Sequence, residues 1–317
     1  MIRTDGDEEA AANWQRGVKA RTRRSTGEAA RERLVTGMPV TERRLELAGV
    51  STAVLEGGDG PPVLLLHGAG EFAACWMRVI PNLVRTHRVV VPDLPGHGAS
   101  VVAGDPPDAG RVAAWLGELI ERTCPSPPTL AGHGLGGALA ARFAAGQGDR
   151  VARLVLVDSY GLGPFRPAPR FAFAMIGVIV RQTERSQERL FRQCMADLDG
   201  YREQLGERGA LLEAYALDRA RSPGQKASLR RLMPQLGLRM IPPAELARIT
   251  VPTTLIWGRH DRQVRLGVAQ AASTRYGWPL HVIEDAADDP AAERPEAFLR
   301  ALNATLAPVA SSPRRQP

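Results

Sequence analysis

Leu130-Ala-Gly-His-Gly-Leu-Gly-Gly-Ala-Leu139 decides how this chain is read. An apolar run ends in Gly132-His133-Gly134-Leu135-Gly136 and continues into Ala-rich helical sequence, the strand, sharp turn and helix of a nucleophile elbow. In the pattern G-x-S-x-G the outer glycines permit the tight turn and close helix packing, while the central serine projects over the sheet. Here the central position is Gly134, which has no side chain. The scaffold for a reaction is present and its nucleophile is not.

Outward from this turn, further apolar runs break at glycine or aspartate in the manner of buried strands. Val63-Leu-Leu-Leu-His67-Gly68, Arg88-Val-Val-Val-Pro-Asp93, Val151-Ala-Arg-Leu-Val-Leu-Val-Asp158, Thr253-Thr-Leu-Ile-Trp-Gly258 and Leu280-His-Val-Ile-Glu284 join the strand that enters the elbow. A hairpin about Gly49 precedes them, Trp76 to Val84 reads as a short helix, and Pro295 to Leu306 as the last one. Apolar strands alternating with helices predict an α/β fold with a mostly parallel central sheet covered by helices on both faces. Residues 41–163 and 241–306 form this core, and residues 164–240, helical in pattern, are expected to form a cap over the carboxyl ends of the strands, where open parallel sheets bind ligands. Within the cap, Phe171 to Val180 either lines a pocket or docks the cap on the core. Residues 1–40 read as an N-terminal arm or loose surface helix, and residues 307–317 as a disordered tail.

With 317 residues, 44 % of them apolar, the chain can bury a large single core. It opens polar and acidic, unlike a secretory signal, and Phe171 to Val180, ten residues long, falls short of the roughly 20 needed to span a bilayer. Cys75, Cys124 and Cys194 lack the paired spacing of a disulfide framework or zinc site. The expectation is a reduced, cytoplasmic protein without a metal or cofactor. Net charge is +7, and residues 165–240 hold fourteen basic against eight acidic side chains. No nucleic-acid module accompanies these arginines, so nucleic acid is not an expected partner, whereas a small molecule is. The sequence leaves oligomeric state open.

Five motifs in fixed order carry a resemblance: His67-Gly-Ala-Gly70, Val91-Pro-Asp-Leu-Pro-Gly-His-Gly-Ala-Ser100, the elbow at 132–136, Trp257-Gly-Arg-His-Asp261, and Glu284-Asp-Ala-Ala-Asp-Asp-Pro290. Together they make residues 41–306 resemble the α/β-hydrolase superfamily, in its branch of esterases, C–C bond hydrolases and epoxide hydrolases. The resemblance implies that His67, Gly68 and Ala69 form the oxyanion turn, with the backbone N–H groups of Ala69 and Leu135 facing a developing negative oxygen. It makes Asp261 the acid that orients the catalytic histidine, and His133 the usual neighbour of the nucleophile. The histidine itself is expected in the loop where Asp288 stands.

His67, His87, His97, His133, His260 and His281 each fit a turn or strand position better than that of a base. Ser159 is the closest stand-in nucleophile, an alcohol without a base. Removing a serine hydrolase's nucleophile or base alone costs on the order of 10⁶ in kcat, and the resemblance implies that both are substituted here. Three functions stay open: a lyase, cyclase or isomerase using Asp261 and Asp288 in acid–base chemistry, a pseudoenzyme that binds a small ligand, and an ester or C–C bond hydrolase with relocated catalytic residues. In the first, Asp261 and Asp288 face each other as a carboxylate pair; the plainer alternative points Asp288 into solvent.

Overall fold

The computed structural model describes residues 26–306; residues 1–25 of the expected arm and the expected tail at 307–317 lie outside them. In chain order the elements are α1 (Thr26–Val35), β1 (Thr41–Leu47), β2 (Val50–Gly57), β3 (Pro62–Leu66), α2 (Ile80–Leu83), β4 (Arg88–Pro92), β5 (Val101–Val102), α3 (Ala109–Thr123), β6 (Thr129–His133), α4 (Gly134–Gly146) and β7 (Arg153–Val157). Then come α5 (Pro169–Val180), α6 (Glu184–Cys194), α7 (Leu198–Leu205), α8 (Glu207–Arg221), α9 (Pro223–Leu232), α10 (Pro243–Leu246), β8 (Thr253–Gly258), α11 (Leu266–Tyr276), β9 (Leu280–Ile283), α12 (Pro290–Glu293) and α13 (Pro295–Leu306).

The strands form one sheet in the order β1-β2-β4-β3-β6-β7-β8-β9, with β5 paired to β2. From β4 to β9 along this path the neighbours run parallel, and β2 is antiparallel to both β1 and β4. The expected α/β fold is therefore the observed one. Because successive side chains point to opposite faces of a strand, the apolar runs build two cores. Leu64, Leu66, Leu130, Leu154, Leu156 and Trp257 share one with Trp115 and Leu119 of α3 and the apolar face of α4. Val63, Leu65, Ala131, Val155, Val157 and Ile256 share the other with α1 and with Phe298 and Leu302 of α13.

One element differs from the sequence expectation, and another is one that no motif marks. Residues 26–35 are not loose: Ala30 and Leu34 of α1 are buried, and the Arg31 guanidinium donates to Glu42 at 2.7 Å and reaches Asp93 at 3.5 Å. Helix α3, amphipathic and marked by Asp108 as its N-cap, carries no motif; Trp115 anchors it under β2 by donating Nε1–H to Thr52 Oγ1 at 2.9 Å.

Between β7 and β8 the chain is helical from α5 to α9, and several of its polar contacts fall on loops that follow the strands. Cys194 O accepts from Asp288 N–H at 2.9 Å, Gly70 O from Gln225 Nε2 at 3.3 Å, and Gly98 O from Arg219 at 3.3 Å. Arg262, just after β8, donates to the carbonyls of Gln193 and Met195 at 3.0 Å each. Helix α5 buries Phe171 and Ala174 and leaves Phe173 and Ile179 exposed.

Candidate active site

The elbow forms as its glycines require. Gly134 opens α4 with φ of +49°, the left-handed region that glycine enters at least cost. A Cβ on Gly136 would stand 2.6 Å from the carbonyl oxygens of Leu66 and His67, so only glycine lets α4 lie this close to β3. At Gly134 the same construction meets Gly68 Cα at 3.6 Å and the Tyr160 ring at 3.9 Å, ordinary contact distances. The position therefore has room for a side chain and lacks one.

Around it the polar groups are engaged with one another. Glu71, four residues beyond His67, folds back so that Oε2 accepts from Gly68 N–H at 2.6 Å and lies 3.1 Å from His133 Nδ1. His133 Nε2 lies 2.7 Å from Asp288 O, a carbonyl that can only accept. With an acceptor on each ring nitrogen, His133 is held as imidazolium, both N–H groups donating. Burial opposes that charge, but the Glu71 carboxylate lifts the His133 pKa well above the ordinary histidine value. Burial likewise opposes ionisation of Glu71, and the His133 charge prevails, holding it below the usual carboxylate range. His133 thus has no free nitrogen with which to act as a base. A fixed anion occupies the turn where the family arrangement gathers donors for a developing oxyanion.

Asp288 does not point into solvent: it is buried, accepts at Oδ1 from Gln263 Nε2 at 3.1 Å, and lies 3.9 Å from His133 Nε2. The loop that carries it is pressed against β8, where a Cβ on Gly258 would come 1.8 Å from Ala287 O. Glu293 fixes the loop from behind, taking Ala287 N–H on one oxygen at 2.7 Å and Ala196 N–H on the other at 2.6 Å. Asp261 Oδ1 accepts from the N–H groups of Gln263 at 2.7 Å and Val264 at 2.9 Å. Gln263 thereby links the two aspartates that the resemblance brings to one site.

The carboxyl in closer partnership with Asp261 is Asp158, at the end of β7. Its Oδ1 accepts from Gly258 N–H at 3.0 Å, and its backbone adopts φ of +40°. Asp158 Oδ2 and Asp261 Oδ2 are both buried without a donor, and the side chains stand within hydrogen-bonding reach of each other. One proton between them would satisfy both oxygens. Burial, then the neighbouring Asp261 charge, raises Asp158 well above the carboxylate range, and burial pushes Asp261 to about 6. Asp288 is raised as well, by burial and then by Asp261.

Other sequence candidates fall into structural places. His67 is fully buried and accepts from Leu94 N–H at Nε2 over 2.9 Å; burial lowers its pKa to about 4, so the ring is neutral at pH 7. Ser159 is no stand-in nucleophile: it is buried beneath α4, donating to Tyr160 O at 2.9 Å, and a Cβ on Gly137 would come 2.4 Å from its hydroxyl oxygen. Ala69 is partly exposed, whereas Leu135 is buried at the start of α4. No motif marks Glu71, Asp158 or Tyr160. The one available signal is position, a carboxylate directly after a Gly-rich turn and another ending a buried strand.

Two surface cavities, of about 870 and 430 Å³, lie elsewhere. The larger is bounded by α1, the loop at 96–106 and helices α8 and α9, and Arg31, Arg219 and Gln225 line it. Gln225 is buried with Oε1 unpartnered. None of Gly134, His133, Asp261 or Asp288 lines either cavity.

Residues 63–301 match the model of the alpha/beta hydrolase family. The chain belongs to this family. A pimeloyl-[acyl-carrier protein] methyl ester esterase of Chromobacterium violaceum is 32 % identical over 257 residues, covering 77 % of this chain and 94 % of that one. The esterase of the same name from Aeromonas hydrophila is 36 % identical over 110 residues, which span 35 % of this chain and 42 % of that relative. Among solved structures, carboxylesterase CesB of Bacillus subtilis superposes with a TM-score of 0.76 at 20 % identity, covering 89 % of this chain and 99 % of the other, a likeness of fold alone. As an alpha/beta hydrolase the chain is thus set among proteins named for ester hydrolysis while its elbow holds glycine.

Proposed function

We propose that this family member does not hydrolyse esters and serves as a small-molecule-binding protein. The observation that carries the reading is the Glu71–His133 ion pair beside Gly134: the turn that would receive an oxyanion holds a carboxylate on Gly68 N–H, and the nearest imidazole spends both nitrogens. Serine attack needs a hydroxyl, a base with a free nitrogen and unoccupied donors for the oxyanion. Gly134 supplies no hydroxyl and His133 no free nitrogen, and Glu71 holds a negative charge on Gly68 N–H, next to the Ala69 N–H that a developing oxyanion would need. In this reading residues 164–240 are a cap whose α8 and α9 close one side of the ligand cavity of about 870 Å³. Gln225 Oε1, buried there without a donor, supports a ligand that brings an N–H or O–H group. Incubating the purified chain with a metabolite extract and identifying retained compounds by mass spectrometry tests this. Retention that Gln225→Leu weakens supports the reading, and a chain that retains nothing at micromolar concentration refutes it.

A second reading rests on the Asp158–Asp261 pair. Two carboxyls sharing a proton can donate and accept in turn, which supports acid–base chemistry of the lyase or isomerase kind. It differs from the first in requiring turnover, and Asp261→Asn would abolish that turnover while leaving retention of a ligand by Gln225 intact.

A further inference from the structure

We infer that α5 is a membrane-docking element which lays its outer face on anionic lipid. The helix divides cleanly. Phe171, Ala174 and Val178, spaced i, i+3 and i+7, turn toward the protein, with Phe171 and Ala174 buried. Phe173, Ile176 and Val180 repeat the same spacing on the opposite side and are 73 %, 55 % and 69 % exposed; Ile179 beside them is 67 % exposed. A helix apolar all round belongs inside a protein or a bilayer, yet this one has protein on one side only. These four side chains are among the few large apolar residues that the described surface leaves exposed, and they sit together.

Charge names the occupant. Arg166 and Arg170 lie at the amino end of α5, and Arg181, Arg185 and Arg189 follow its carboxyl end, the last two one turn apart on α6. All five are exposed, and none forms an ion pair within the described residues. Among the acids beside Arg181, Arg185 and Arg189 in sequence, Glu188 is already bonded to Arg192 and Arg202. An apolar strip between clusters of unpaired arginines matches an interface of acyl chains beneath anionic headgroups. A second copy of the chain would bring its own arginines against these, a repulsion that an anionic surface replaces with attraction. With twelve residues, α5 is too short to span a bilayer, so it would lie in the interface plane.

Sedimentation with sucrose-loaded vesicles tests the inference on the full chain. Binding to phosphatidylcholine vesicles containing phosphatidylglycerol is expected to be at least about tenfold tighter than to phosphatidylcholine alone, and to weaken in high salt. The double variant Phe173→Ser/Ile179→Ser should lose about tenfold or more on the anionic vesicles. Arg181→Gln/Arg185→Gln/Arg189→Gln, which leaves Arg166 and Arg170 in place, should lose most of the preference for anionic vesicles. Circular-dichroism melts unchanged from the natural chain show that the exposed substitutions leave the fold intact. Absence of binding to anionic vesicles overturns the inference, as does binding that neither set of substitutions alters. A dimer in solution that Phe173→Ser/Ile179→Ser dissociates would assign the face to a second copy instead and overturn it equally.

Discussion

Glu71 and His133 set the chemistry of the elbow one proton at a time. Because the His133 pKa is raised, its share of stability is fully present below its unfolded value near 6.5 and is lost only as pH climbs through the higher folded value. Glu71, lowered by its partner, contributes above about 4.5 and fails as pH falls through its own folded value. Imidazole ¹⁵N shifts should therefore show His133 doubly protonated at pH 7. In Glu71→Gln, with the main charge opposing burial removed, the ring should titrate lower than in the natural chain; a natural chain whose His133 is neutral at pH 7 contradicts the ion pair. The Asp158–Asp261 pair carries the sign opposite to that of Glu71. Folded-state carboxyls with raised pKa values hold protons that the unfolded chain has released, so stability drops as pH rises from about 4 through the Asp261 value of about 6 and on through the higher Asp158 value. Asn at position 158 can keep the bond from Gly258 N–H and donate an amide hydrogen to Asp261 Oδ2, and Asn tolerates positive φ. Asp158→Asn is expected to stabilise the protein at pH 8 by roughly 1–3 kcal/mol, the cost of a buried unsatisfied polar group, read as a higher melting temperature with a flatter pH profile. A lower melting temperature at pH 8 would contradict the assignment.

Helix α1 shows what an element can do without a motif. Its sequence, Thr-Gly-Glu-Ala-Ala-Arg-Glu-Arg-Leu-Val, has few apolar residues, but Leu34 is fully buried and the helix packs on α8. Leu34→Ala is expected to cost about 2–5 kcal/mol and to raise amide exchange along both α1 and α8; faster exchange in α1 alone would show that the two helices are not coupled. The strands are legible in sequence because a buried parallel strand is a continuous apolar run with a glycine or aspartate at its end. Val63 to Leu66 and Thr253 to Gly258 need no tertiary information. Of the site, Gly134 and Asp158 stand at such endings, Asp261 and Asp288 are reached only through the resemblance, and neither the strand pattern nor the resemblance gives Glu71 its role or pairs Asp158 with Asp261. Glu71 acquires its role through a turn that folds it back on Gly68, and Asp158 through a neighbour a hundred residues away in sequence.

Taken whole, the molecule keeps an alpha/beta hydrolase sheet, its elbow and a helical insertion resting on the strand-end loops, and the proposed loss of hydrolysis rests on Gly134 at the elbow and on the Glu71–His133 pair beside it. Reversing that loss should be only partly effective. Gly134→Ser has room for its side chain against Gly68 and Tyr160 at a left-handed backbone cost of about 1–2 kcal/mol. Adding Asp288→His supplies a ring, but the Glu71 carboxylate on Gly68 N–H still repels an oxyanion forming beside it. The double variant is expected to gain weak turnover of p-nitrophenyl esters, and the triple variant with Glu71→Ala more. No gain in either would show that the elbow has lost the productive geometry as well as its residues. The central claim, that the natural chain has no serine nucleophile in working order, is tested most directly by intact-mass spectrometry after incubation with a fluorophosphonate. The account predicts an unmodified mass for the natural chain at pH 8, and stoichiometric labelling of any serine in it would contradict the account.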